Sequence, residues 1–218
     1  MKVEFKDLVK IYGDEISYTT DICGLKRELP IRQVDEGVWI ASNHSLVLGR
    51  DIPFTERASE ELSNRIKDFY PDYLITAESK SLPLVYKISK KRGLQEMIVA
   101  RKGIKAYMGS SYLMVQAKSI TTAEPQKLVL EHDQAKKMKG KKVAIVDDVV
   151  STGGTLVGLE ELVEKAGGTV VCKAAVWLEG PWYANRDIIF LSILPVFVNE
   201  KKYTELLEKW ENRNDKQS

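Results

Sequence analysis

What the chain has little of narrows its class before any motif is considered. Only two cysteines, Cys23 and Cys172, occur in 218 residues, far apart and in no metal-ligand spacing. That argues against a disulfide framework or a thiolate metal site, and buried free thiols in a reducing cytosol are expected instead. The two histidines, His44 and His132, have no Cys or Ser in recognisable spacing, so they read as surface or packing residues rather than catalysts. No apolar run reaches membrane-spanning length, and the opening residues Met1 to Phe5 lack the apolar core of a signal peptide. No membrane partner is expected, and a cytoplasmic location follows by default. Charge of one sign is also missing: 33 Lys and Arg oppose 31 Asp and Glu, a net +2 that argues against a nucleic-acid-coating surface. No internal repeat or low-complexity tract is present.

What remains is an ordinary globular composition, 44% hydrophobic and 29% charged. The length suits one substantial α/β domain with a smaller appendage. Residues 1–54 read as an N-terminal lobe and residues 55–218 as the core with a C-terminal helix. In the lobe, Phe5, Leu8, Val9 and Tyr12 have helical spacing. Residues 29–34 read as a strand that Pro30 would confine to a sheet edge, and Asp35, Glu36 and Gly37 turn it into a second strand at 38–41. Thr55 is placed to cap a helix reaching residue 69, with Ala58, Leu62, Ile66 and Phe69 on one face.

From there strands and helices alternate. Strands are expected at 73–77, 97–100, 143–146, 169–177 and 188–194. Helices are expected at 82–91, 133–138, from 156 to 166, and after a cap at Asn199. Residues 106–127 have no clear period and read as a long hairpin or mobile loop. Alternation of this kind implies a mostly parallel, doubly wound sheet, whose ligands collect outside the carboxyl ends of the strands. Four polar loops fall there, at 78–81, 101–105, 147–155 and 179–182.

The richest of these loops follows the buried run Val143, Ala144, Ile145, Val146. Asp147 and Asp148 close the strand, and Val149, Val150, Ser151, Thr152, Gly153, Gly154 and Thr155 lead into a helix. Glycines let the backbone turn tightly and approach a ligand. Hydroxyls beside the unpaired N–H groups of a helix start suit a phosphate. Paired acids suit sugar hydroxyls or a hydrated Mg²⁺. Ordinary capping of a strand-to-helix turn would use the same residue types.

The full string closely resembles, without gaps, the phosphoribosyl pyrophosphate (PRPP) signature of the type I phosphoribosyltransferases, in which an apolar strand ends in two acids and continues through Thr-Gly-Gly-Thr. The resemblance covers roughly residues 55–198 and implies the type I phosphoribosyltransferase fold. It implies that Asp147 and Asp148 meet the ribose hydroxyls and that Ser151, Thr152, Gly153, Gly154 and Thr155 hold the 5′-phosphate. Glu78, Ser79, Lys80 and Ser81 resemble the pyrophosphate loop of the adenine and xanthine branches, often Glu-Ser-Arg-Gly, with Lys80 in place of the arginine and Ser81 in place of the glycine. A non-proline cis peptide of that loop would fall between Ser79 and Lys80. Arg101, Lys102 and Lys105 resemble the segment entering the catalytic loop of the adenine enzymes, and the resemblance implies pyrophosphate contacts for them. Glu124 would be an acid near the base.

Trp177, Glu179 and Trp182 are candidates for the base slot, with core packing as the ordinary alternative for the indoles. The implied activity is a purine phosphoribosyltransferase of nucleotide salvage, using PRPP, a nucleobase and Mg²⁺, in a homodimer. Metal ligands stay unassigned. A pyrimidine transferase of the orotate type and a non-catalytic PRPP-sensing regulator are the alternatives. No helix-turn-helix pattern opens the chain to favour the regulator.

Overall fold

In the computed structural model, which describes residues 3–44, 50–109, 111–117 and 126–215, the chain begins with α1 (Phe5–Leu8), β1 (Val9–Ile11), β2 (Ser17–Ile22), β3 (Leu25–Asp35) and β4 (Val38–Ala41). It continues through α2 (Ile52–Arg65), β5 (Tyr73–Ala77), α3 (Leu82–Lys91) and β6 (Ile98–Ala100). A hairpin of β7 (Tyr112–Ala117) and β8 (Gln126–Glu131) and the short α4 (His132–Lys137) precede β9 (Lys142–Val150) and α5 (Gly154–Lys165). The chain closes with β10 (Thr169–Glu179), β11 (Ile189–Leu194), β12 (Val196–Val198) and α6 (Glu200–Asp215).

The central sheet has strand order β11-β10-β9-β5-β6, and every neighbouring pair is parallel. Its middle strand, β9, is buried on both faces. Val143 and Ile145 face a core shared with α5, whereas Ala144 and Val146 face one shared with α2 and α3. Successive side chains of a strand point to opposite faces, so an unbroken apolar run is what a strand covered on both sides requires. Because all five strands are parallel, the loops after β5, β6, β9 and β10 emerge along one edge of the sheet.

The second sheet, β1-β12-β4-β3-β2, shows that the expected boundary at residue 54 is not a break in the packing. β12 comes from the far end of the chain, yet it lies between β1 and β4, parallel to the first and antiparallel to the second. Trp177 joins the layers: it is fully buried, stacks on Phe54 at 5.4 Å, and donates its Nε1–H to Thr20 Oγ1 at 3.3 Å.

Several local expectations are corrected. Pro30 is not on an edge strand. β3 pairs with β2 through residues 25–30 and with β4 through residues 31–35, so Pro30 sits where pairing changes sides and its missing N–H breaks no continuous ladder. Thr55 does not cap α2. Asp51 does, accepting the Phe54 N–H at 3.0 Å, while the Thr55 hydroxyl bonds back to the Asp51 carbonyl from within the helix. The opening helix is a single turn that passes into β1, and α2 ends at Arg65 before a separate 3-10 turn at 67–69. Residues 106–127 include β7 and the first residues of β8, which pairs antiparallel with it through residue 131. Glu124 lies outside the described residues.

Candidate active site

The site is built on β9, where two neighbouring acids end up in the protein interior. Asp147 and Asp148 are 8% and 7% exposed, a placement ionised carboxylates tolerate only with partners. The partner is Ser81, at the start of α3 across the sheet edge. Its hydroxyl lies 2.6 Å from Asp147 Oδ1 and 3.1 Å from Asp148 Oδ1, and Ser81 Oγ accepts the Asp148 N–H at 3.0 Å. Asp147 Oδ1 also accepts the Asp148 N–H, at 2.9 Å. Asp148 Oδ2 has no partner. Burial, and then the neighbouring Asp148, push the Asp147 carboxyl up to about 8 against the opposing Ser81 hydrogen bond.

A cavity of ≈170 Å³ opens above these acids, lined by residues from three loops, among them Glu78, Lys80, Ser81, Lys102 and Thr155. Thr155 brings the start of α5 to the cavity. That start is sharply turned: Gly153 has φ +83°, and a Cβ there would overlap the Tyr183 ring, which packs directly on the loop. Only glycine meets both demands. Unpaired N–H groups at a helix start form an anion site, and the Ser151 and Thr152 side chains are half-buried beside it.

The cations gather around an acid. Glu78 Oε2 accepts from Arg101 Nη1 at 2.9 Å, and Oε1 accepts the Lys102 N–H at 2.8 Å with the Lys105 ammonium at 3.3 Å. Burial would raise the Glu78 carboxyl, but these donors outweigh it and hold it below its usual range. Glu78, expected among the pyrophosphate-binding residues, lines the cavity, and its carboxylate is the partner of the cations beside it. The Ser81 side chain likewise turns to the acids rather than into an anion loop. The cis peptide falls one bond earlier than expected, between Glu78 and Ser79.

The expected base-slot residues separate. Glu179 comes to the site. Burial raises its carboxyl, while the Ser151 hydroxyl and the Lys80 charge oppose that shift. Trp177 does not come near; it is wholly inside the core and offers no face to a ligand. Trp182 lies against α6, lining a groove with Leu206 and Trp210, and Arg213 binds the Pro181 and Trp182 carbonyls at 2.7 and 3.0 Å. The short gap between β10 and Trp182 hid this divergence, because Gly180, at φ +63°, turns the chain and a Cβ there would overlap the Trp182 ring. Tyr183 is the residue that the sequence reading did not assign to the phosphate loop, and no spacing rule marks such a buttress.

Mg²⁺ binds through one or two carboxylates together with waters and substrate oxygens rather than in an all-protein cage. Among the described residues no group of three or more His, Cys, Asp or Glu could form a cage. The Asp147 and Asp148 pair, with Asp148 Oδ2 buried and unpartnered, fits the substrate-borne mode.

A parallel α/β sheet here carries paired acids, a tight glycine turn into a helix and a cationic loop along one edge, the edge where ligands of such sheets collect. The chain belongs to the phosphoribosyl transferase domain family, whose model matches residues 54–203. It is 33% identical over 116 residues to an adenine phosphoribosyltransferase of Clostridium botulinum, a match covering 51% of this chain and 61% of that protein. The chain thus spans about three fifths of the length of that relative. A hypoxanthine/guanine phosphoribosyltransferase of Methanosarcina acetivorans is 31% identical over 130 residues, covering 58% of this chain and 64% of that protein. The fold is also that of the crystal structure of adenine phosphoribosyltransferase from Thermoanaerobacter pseudethanolicus, with TM-score 0.56 and 22% identity over 66% of this chain and 83% of that one.

Proposed function

We propose that this chain is a purine phosphoribosyltransferase, joining a purine nitrogen to the anomeric carbon of PRPP and releasing pyrophosphate. One observation carries the reading. A single cavity is lined by the acid pair, by Lys80 and Lys102, and by Thr155 at the start of α5, which are the groups needed for a sugar bearing a phosphate at one end and pyrophosphate at the other. The similarity to adenine and hypoxanthine/guanine transferases favours a purine as acceptor.

In this reading Asp148 orients the ribose through its hydroxyls, and residues 151–155 fix the 5′-phosphate on the start of α5. Arg101, Lys102 and Lys105 screen the leaving pyrophosphate, whose departure leaves positive charge on the sugar ring. Glu78 holds those cations in place beforehand. Glu179 is the acid placed to read the edge of the base. Mg²⁺ would be held by the acid pair and would neutralise pyrophosphate charge. Homodimer assembly belongs to the same proposal. Among the described residues no helix is long and apolar enough to cross a membrane.

The reading predicts that PRPP with Mg²⁺ stabilises the fold. At a hundred times Kd the gain is about 2.7 kcal/mol, roughly a 5–10 °C rise in Tm for a chain of this size. Asp148→Asn should abolish most of that rise. An unchanged Tm in the wild-type protein at millimolar PRPP would count against the proposal.

A further inference from the structure

Ser81 stands where the resembling loops have glycine, and its hydroxyl has an unusual employment. A serine at a helix start ordinarily accepts an N–H from the first turn. Ser81 begins α3 without making that bond. It is 1% exposed, and its hydroxyl is directed at the end of β9 instead. Neighbouring residues of a strand send their side chains to opposite faces, yet this one oxygen lies within 3.1 Å of both Asp147 and Asp148.

A serine hydroxyl has a single proton to give. The 2.6 Å approach to Asp147 Oδ1 is at the short end of the range for a hydroxyl hydrogen bond, about 2.5–3.0 Å. The 3.1 Å approach to Asp148 Oδ1 is too long to compete with it. The same oxygen accepts the Asp148 N–H at 3.0 Å, which fixes the backbone between the two acids. Asp147 Oδ1 is then satisfied from two sides, whereas Asp148 keeps a buried oxygen without a partner and lines the cavity.

Resting on the phosphoribosyl reading above, we infer that Ser81 is a positioning residue that divides the work of the two acids: it ties Asp147 into the protein and leaves Asp148 as the carboxylate that meets the ribose hydroxyls. The pair is therefore unequal in this chain. Glycine at position 81 would leave Asp147 without its partner hydroxyl and the two adjacent acids to settle their own geometry.

The test uses ribose 5-phosphate and inorganic phosphate as calorimetric probes, alongside steady-state PRPP kinetics, on the full chain and on Ser81→Ala and Ser81→Gly. Losing the short hydrogen bond between Ser81 and Asp147 should weaken ribose 5-phosphate about tenfold and raise the KM for PRPP to match. The kcat should stay within a few-fold, and inorganic phosphate, held by residues 151–155, should bind as before. Ser81→Ala should cost much less in an Asp147→Asn background than alone. Ribose 5-phosphate affinity unchanged in both Ser81 variants overturns the inference. So does an equal loss for inorganic phosphate, or failure of both variants to fold, since either marks a structural role. Wild-type protein that binds neither ribose 5-phosphate nor PRPP brings down the functional reading itself, and the inference with it.

Discussion

At the scale of single residues, the site depends on groups whose environments would be intolerable without one neighbour each. Gly153 illustrates this without reference to charge. Its φ of +83° is strained for any side chain, and Tyr183 occupies the space a Cβ would need. Gly153→Ala should therefore cost about 2–4 kcal/mol, from the left-handed backbone and overpacking together. It should also displace the loop proposed to hold the 5′-phosphate. Thermal unfolding and phosphate titration of the variant check both parts, and a variant of native stability would show that Tyr183 yields. The glycine itself was legible in the sequence, because a glycine pair before a helix announces a tight turn. Tyr183 was not, because contact across 30 residues leaves no local spacing. Trp177 failed in the opposite way: sequence position placed it at the right edge, but burial decides whether an indole is wall or core.

At the scale of elements, the strand-and-helix alternation was readable almost throughout, since period-two and period-3.6 apolar patterns report burial directly. What was lost lay at the ends of elements, where one hydrogen bond chooses the boundary. α2 is the instructive case: Thr55 has capping chemistry, but Asp51, four residues earlier, has both the Phe54 N–H and an ion pair with Arg27 at 2.6 Å. That ion pair ties β3 to α2. Asp51→Ala should destabilise by about 1–2 kcal/mol, mostly from the lost cap, with little from an ion pair whose arginine is 30% exposed. Asp51→Asn should keep the cap and lose the charge. The Arg27 hydrogen bond, helped by the Phe54 N–H and opposed by burial, holds the Asp51 carboxyl below its usual range. Since the folded-state value is the lower one, this contribution is full above about pH 4 and is lost as pH falls through the depressed value. Unfolding measured from pH 6 downward should show this acid-side loss in the wild type and a smaller one in Asp51→Asn; identical profiles would assign the loss to other carboxylates.

At the scale of the whole molecule, the central feature is the union of two sheets by residues distant in sequence. β12 closes the N-terminal sheet, and Trp177 fastens β10 to Thr20. Nothing local marks residues 196–198 as partners of residues 9–11, so the sequence suggested a lobe placed ahead of the main sheet without showing that β12 joins it. Trp177→Phe should cost about 1–3 kcal/mol from lost volume and a lost hydrogen bond, lowering Tm by several degrees. It should leave the choice of base unchanged; an altered base preference would return Trp177 to the binding site. At this scale the proposed function is transfer of phosphoribosyl groups to purines at the polar edge of the parallel sheet. Its most direct measurement is pyrophosphate release from PRPP and Mg²⁺ in the presence of each common base in turn. Release with a purine and none with uracil or orotate is the predicted result; tight PRPP binding with no release for any base would contradict it.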